Sequence, residues 1–295
     1  MLSLALLQTD SSHAEVYQDL AVPDAGVRIA HLWGADPERT AAVARAGVHV
    51  CADLEEAISG VDGIMICGRW GDSHRPVAEA ALKAKVPVYV DKPFTNSAEE
   101  ADYLLDLYGE AGVPLFSASP LRFATEIEEA AVTLADTDIL GGSVTGLGQW
   151  PDFGPKGCEV YFYGIHAMEL VTALFGTGIE AVTTQRGGRL ETALLRFPEG
   201  QLVALNLLLR GAERYEAVLL TADDTRHVAA NPVGDFYQRT LARVCDFVRS
   251  GRPPIDAAET RQNIHVLEAI ERARRDQGHW VDVPLSPERT ARRAS

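Results

Sequence analysis

Short apolar runs alternate with amphipathic helical stretches over about the first 118 residues, and this alternation constrains the fold more than any other feature. Leu4–Leu7, Val27–Trp33, Gly63–Cys67, Val86–Val90 and Val113–Ser117 are continuous apolar runs, as expected of strands buried on both faces. Helical signals lie between them. Asp36-Pro37-Glu38-Arg39 puts an N-cap residue ahead of a proline at the first helical position. Ser97-x-x-Glu100 has capping-box form, with apolar residues following at Ala101, Leu104, Leu105 and Tyr108. Gly112 stands where a C-terminal glycine stop belongs. Strands that alternate with helices predict a parallel sheet with helices on both faces.

The pattern changes after about Leu121. A helix over Ala124–Ala135 leads into Gly142–Gly148, and a Gly/Pro-rich stretch runs from Trp150 to Gly157. A helix follows around Gly164–Phe175. Strand runs then succeed one another at Ala181–Arg186, Glu191–Phe197, Leu202–Leu209, Tyr215–Ala222 and His227–Ala229, with Pro198-Glu199-Gly200 as a short hairpin-type turn. Two helices, near Asp235–Ser250 and Ala257–Asp276, precede a last strand at Trp280–Val283. Strands without intervening helices predict a mainly antiparallel sheet. The expected architecture is therefore α/β. A Rossmann-like doubly wound parallel sheet occupies residues 1–120, and an α+β domain with a mainly antiparallel open sheet occupies residues 121–295. One face of that open sheet needs cover, and the apolar strands Leu202–Leu209 and Tyr215–Leu220 predict association between copies.

Of the 295 residues, 27 are Lys or Arg and 42 are Asp or Glu, for a formal net charge of −15. That balance, with no dense basic run before the last residues, argues against nucleic acid and anionic membrane surfaces as partners. No apolar run approaches the roughly 20 residues that span a bilayer. The apolar start, Met1–Leu7, lacks a basic flank and reads as a core strand rather than a signal peptide. Cys51, Cys67, Cys158 and Cys245 are widely spaced, as reduced thiols of a cytoplasmic protein would be. No spacing of His, Cys, Asp and Glu announces a metal, and none is expected.

Five places carry candidate chemistry. The first strand is followed by Gln8-Thr9-Asp10-Ser11-Ser12-His13 rather than by the glycines of a dinucleotide-binding turn. Ser11, Ser12, His13 and free helix N–H groups there suit an anion, while Asp10 opposes one unless it caps the helix; a plain Asp-Ser-Ser cap is the simpler alternative. The second strand ends on Gly34, where a ribose-binding carboxylate is usual. Lys92, in Asp91-Lys92-Pro93, ends a strand at the edge where open parallel sheets bind ligands, although a lysine there is more often simply solvated. His166 and Glu169 share a helical face, an arrangement that suits proton transfer and equally a structural histidine at a helix start. His74, after Gly68, has the same ambiguity. His31, His49, His227, His265 and His279 show no partner pattern and read as structural.

Together these segments resemble the glucose–fructose oxidoreductase / inositol dehydrogenase / MocA (Gfo/Idh/MocA) family. Asp91-Lys92-Pro93 is similar to that family's Glu-Lys-Pro motif, and Gly164-Ile165-His166-x-x-Glu169 to its later Asp-x-Gly-x-His-x-x-Asp motif. The segment from Asp62 to Leu82 resembles the third βα unit, and Phe247–Pro254 with Trp280–Val283 the usual C-terminus. Thr9-Asp10-Ser11-Ser12-His13 resembles a branch with an Asp-Thr-Ser-His element in place of the glycines. Phe162 stands where the first Asp of the later motif belongs, so the usual support for the histidine is either missing or taken over by Tyr163 or Glu169. The resemblance implies an oxidoreductase using NAD or NADP on a sugar, polyol or cyclitol-like substrate. Lys92 and His166 would be the catalytic pair. Asp10, Ser11, Ser12, His13, Gly34, Gly68, His74, Lys92 and Pro93 would lie at the cofactor, and Lys92, Trp150, Lys156, Tyr163, His166 and Glu169 at the substrate. Dimers or tetramers through the second sheet are implied as well. Two alternatives stay open: a non-redox protein binding a phosphorylated metabolite, and a lyase or glycosidase with tightly held NAD.

Overall fold

A computed structural model describes residues 1–148, 160–231, 233–276 and 278–284. Two compact units emerge, one of Met1–Ala118 with Tyr237–Ala257 and one of Ser119–Phe236 with residues 258 onward. A single cut after residue 120 therefore misses a return of the chain, because one late helix belongs to the first unit.

The first unit holds strands β1 (Leu2–Leu7), β2 (Val27–Trp33), β3 (His49–Val50), β4 (Gly63–Ile66), β5 (Val88–Asp91) and β6 (Leu115–Ala118), in the order β3-β2-β1-β4-β5-β6. Every pair in this sheet is parallel, the doubly wound arrangement expected. Helices α1 (His13–Leu20), α2 (Pro37–Val43), α3 (Leu54–Ala57), α4 (His74–Ala81) and α5 (Ala98–Ala111) make the crossovers. The local signals hold: Asp36 accepts from the Arg39 N–H, Ser97 from the Glu100 N–H, and Gly112 ends α5 at φ +64°. β1, β4 and β5 are almost wholly buried, which is why their sequences are continuous rather than alternating.

The second unit holds α6 (Thr125–Thr133), β7 (Ile139–Leu147), α7 (Ile165–Phe175), β8 (Ala181–Arg186), β9 (Leu190–Arg196), β10 (Leu202–Leu208), β11 (Glu216–Thr221) and β12 (Thr225–Ala229). It is completed by α9 (Ala257–Arg275) and β13 (Val281–Asp282). The late helix of the first unit is α8 (Phe236–Ser250). There Phe247 meets Phe116 edge-on with ring centroids 4.9 Å apart, and Gly63 leaves room for Val248, which a Cβ would approach to 2.5 Å.

The second sheet runs β12-β11-β7-β10-β9-β8-β13, parallel only between β7 and β10. The mainly antiparallel expectation holds, but the sequence did not reveal β7, an interior strand of this sheet. Glycine hides it. A Cβ on Gly142 would lie 2.1 Å from the Val218 carbonyl oxygen, and one on Gly146 2.7 Å from the Ala167 Cβ. Those bare positions let α7 lie close against the sheet. A π-helical turn, Val160–Gly164, leads into α7.

Candidate active site

In the first unit the chemistry gathers at the carboxyl ends of β1, β2, β4 and β5. After β1 the chain turns through Gln8, a non-glycine residue at φ +68°. The Gln8 amide donates to the Ser73 carbonyl (3.1 Å) and hydroxyl (3.0 Å), and its side chain lies where a Cβ on Gly68 would fall. Gly34 is equally confined, because a Cβ there would meet Thr9 Oγ1 at 2.3 Å and Thr40 Oγ1 at 2.6 Å. Those two hydroxyls share a hydrogen bond of 2.9 Å. No carboxylate fits at position 34 without displacing them.

The turn itself differs from a plain cap. Ser12 is the N-cap of α1 yet its exposed hydroxyl makes no cap bond, while Ser11 Oγ accepts from the His13 N–H at 3.3 Å. Asp10 does not cap α1; its carboxylate accepts from the Arg69 N–H and its carbonyl from the Arg69 guanidinium. His13 turns inward, and the anion it faces is the protein's own Asp91. Its Nδ1 pairs with Asp91, and its Nε2 lies 2.7 Å from the Tyr237 hydroxyl on α8.

Asp91, the last residue of β5, is 1% exposed. Its carboxylate also accepts from the Tyr89 hydroxyl (3.1 Å) and the Lys92 backbone N–H (2.8 Å). Burial pushes this carboxyl up, but the charges of His13 and Lys92 and the hydrogen bonds from both outweigh it and hold the group below its usual range. Burial and then the Asp91 charge push the Tyr17 and Tyr89 phenols and the Cys67 thiol well up, so all three stay neutral around it. Lys92 is 5% exposed and the Lys92–Pro93 peptide is cis. His74 is wholly buried, its Nδ1 at 3.1 Å from the Phe94 carbonyl and its Nε2 at 3.0 Å from the Gly68 carbonyl. Both ring nitrogens are spent on backbone, so His74 staples two loops.

The second unit supplies an imidazole. His166, in the first turn of α7, has its Nδ1 2.6 Å from Ser119 Oγ, and its ring meets Tyr215 edge-on at 5.5 Å. Glu169, one turn on and 4% exposed, accepts the Ser119 N–H at 2.8 Å. Arg122 donates to the Glu169 carbonyl and to Thr172 and pairs with Glu259. The support for His166 is therefore Ser119, which the sequence did not disclose, with Glu169 one bond further back. Tyr163 packs edge-on against Phe162 at 4.7 Å. Trp150 and Lys156 lie outside the described residues.

Residues 9–119 match the family model described as an oxidoreductase family with an NAD-binding Rossmann fold, Gfo/Idh/MocA. Over those residues the chain is similar to the Gfo/Idh/MocA family. The uncharacterized oxidoreductase YhhX of Escherichia coli (strain K12) is 26% identical over 162 residues, and the match spans half of this chain and 46% of that protein. The myo-inositol dehydrogenase of Lactobacillus casei, solved with NAD(H) and myo-inositol, shares the fold at a TM-score of 0.84 and 12% identity, over 97% of this chain and 98% of that one. A probable dehydrogenase from Thermotoga maritima does so at 0.82 and 15%, over 96% and 99%. The carboxyl edge of the first unit fits a dinucleotide. Gln8 Oε1 is buried with no hydrogen-bond partner, an acceptor that a ribose hydroxyl or carboxamide satisfies, and the Ser12 hydroxyl is uncommitted to its helix.

Because the Asp91 carboxyl sits below its ordinary value of 3.8 in the folded protein, it stabilises the fold above that value and ceases to do so as pH falls through the depressed one. At neutral pH, His13→Ala strips a partner from a buried carboxylate and is expected to cost roughly 3–5 kcal/mol in urea unfolding. The stability gap between wild type and Asp91→Asn narrows as the solution is acidified below the ordinary carboxyl value. A gap that stays constant into acid contradicts this role for Asp91.

Proposed function

We propose that the protein is an NAD(P)-dependent oxidoreductase acting on a carbon–hydroxyl group of a sugar, polyol or cyclitol-like substrate. The observation that carries this reading is the imidazole of His166 held through Nδ1 by Ser119, in a chain whose other unit ends β5 on Asp91-Lys92-Pro93. The Lactobacillus casei relative, with its bound myo-inositol, supports the substrate class. Ser11, Ser12, Gly34, Gly68, Lys92 and Pro93, together with Gln8, are the residues that would hold NAD or NADP. The bound nicotinamide supplies the hydride acceptor or donor.

The protein's own groups do the rest. With the ring proton on Nδ1 donated to Ser119 Oγ, His166 keeps a lone pair on Nε2 that takes the substrate hydroxyl proton and returns it in the reverse direction. Glu169, by accepting the Ser119 N–H, fixes the residue that fixes the ring. Lys92 places an ammonium against the substrate oxygen as its proton leaves, and the bond from its backbone N–H to Asp91 sets where its side chain begins. Tyr163, Trp150 and Lys156 complete the substrate contacts in this reading. The protein acts as a homo-oligomer through the half-buried face of the second sheet, in a reducing cytoplasm where Cys51, Cys67 and Cys245 stay out of disulfides.

In assays of NAD+ or NADP+ reduction with inositols and polyols, Lys92→Met is expected to lower kcat/KM by about 10³ without loss of folding. Ser119→Ala should lower kcat by about tenfold and move the acidic limb of the pH–rate profile, while Ser119→Thr restores both. An unimpaired Lys92→Met overturns the assignment. Light scattering at micromolar concentration is expected to give a multiple of the chain mass, and a monomeric mass contradicts the oligomer.

A further inference from the structure

We propose that His49, Cys51 and Glu56 form a binding site for a divalent transition-metal ion of the zinc class. Nothing in the redox reading uses these residues, and in the sequence the histidine shows no partner. The fold brings them together. β3 is a two-residue edge strand paired with β2, His49 opposite His31, and strand alternation directs His49 and Cys51 to the same side. The chain then turns at Asp53, which caps α3 by accepting the Glu56 N–H at 2.8 Å and so sets Glu56 back over the end of the strand.

One donor atom from each of the three residues lies within 4.8 Å of the other two. A tetrahedral ion with bonds of about 2.0–2.3 Å spaces its donors roughly 3.3–3.8 Å apart, so small side-chain rotations close the set. His49 Nε2 and Glu56 Oε1 already meet at 2.8 Å, and the ion takes the place of the proton between them. Glu56 Oε2 accepts the Ala52 N–H at 2.7 Å, which orients the carboxylate as an outer-shell hydrogen bond orients a metal ligand.

The donor types choose the metal. A thiol, an imidazole and one carboxylate suit zinc and its neighbours, whereas calcium and magnesium require a shell of oxygens. Access is open on one side, with the His49 and Glu56 side chains 59% and 44% exposed, while Cys51 is 6% exposed and closes the other. Three protein ligands leave a fourth position for water. His31 completes the setting: its Nδ1 lies 3.0 Å from the Ala57 carbonyl and its ring meets His49 edge-on at 5.8 Å. A bound ion ties the edge strand β3 to the start of α3.

The test is a titration of chelator-stripped, full-length protein with Co²⁺. The expected result is a near-ultraviolet thiolate-to-cobalt band that saturates at one ion per chain and is displaced by Zn²⁺. Cys51→Ser abolishes the band. His49→Gln alters only an exposed side chain, so its circular dichroism is expected to be unchanged, and its Zn²⁺ affinity, read by competition with a chromophoric chelator, falls at least about tenfold. Absence of a thiolate band in the wild type, a band that survives Cys51→Ser, or full Zn²⁺ affinity in His49→Gln each overturns the proposal. Should Cys51→Ser fail to fold, His49→Gln decides.

Discussion

A carboxylate taken out of water at the end of a core strand costs several kcal/mol unless donors replace its hydration. Asp91 meets that cost with a histidine from the first turn of α1, a phenol from its own strand and the backbone N–H of the next residue. Each partner belongs to a piece of the site. His13 anchors the turn after β1, the N–H belongs to Lys92, and Tyr237 carries the network on to α8. One buried charge thereby fixes the first turn, the lysine and a helix from the far end of the chain. This explains how the edge keeps its shape without the glycines usual in such turns: a histidine–carboxylate pair holds the backbone, and Gln8 adopts the left-handed conformation a glycine would otherwise take.

The second unit follows the same logic with weaker groups. Its imidazole is oriented by a hydroxyl rather than by a carboxylate, and the carboxylate stands one step behind, holding the backbone of the serine. A hydroxyl both donates and accepts, so Ser119 can follow either tautomer of His166. On the proposed reading His166 changes charge during turnover and benefits from such a partner. An ionised carboxylate would favour the charged ring throughout.

What was legible in the sequence was local. Asp36, Ser97 and Gly112 act within three or four residues of themselves, and their roles were readable before any fold was known. The continuous apolar runs gave the parallel sheet because burial on both faces leaves no alternation. The failures share one cause, distance along the chain. His13 reads as anion-facing when only its neighbours are considered, but its partners lie 78 and 224 residues away. Ser119 precedes His166 by 47 residues and carries no signal beyond being a good cap. β7 was lost because Gly142 and Gly146 are glycines for the sake of neighbours on other elements, and β3 because two exposed residues make no pattern. The pairing of Lys92 with His166 rests on family resemblance rather than on periodicity.

Binding of the reduced cofactor tests the account most directly, since everything proposed for Lys92 and His166 presupposes a dinucleotide at an edge without its glycines. Purified protein freed of carried-over nucleotide is titrated with NADH and NADPH, following quenching of tryptophan emission and energy transfer to the nicotinamide. The account predicts saturable binding at micromolar levels for at least one of the two. No binding up to millimolar concentration, by protein shown to be folded, would contradict it.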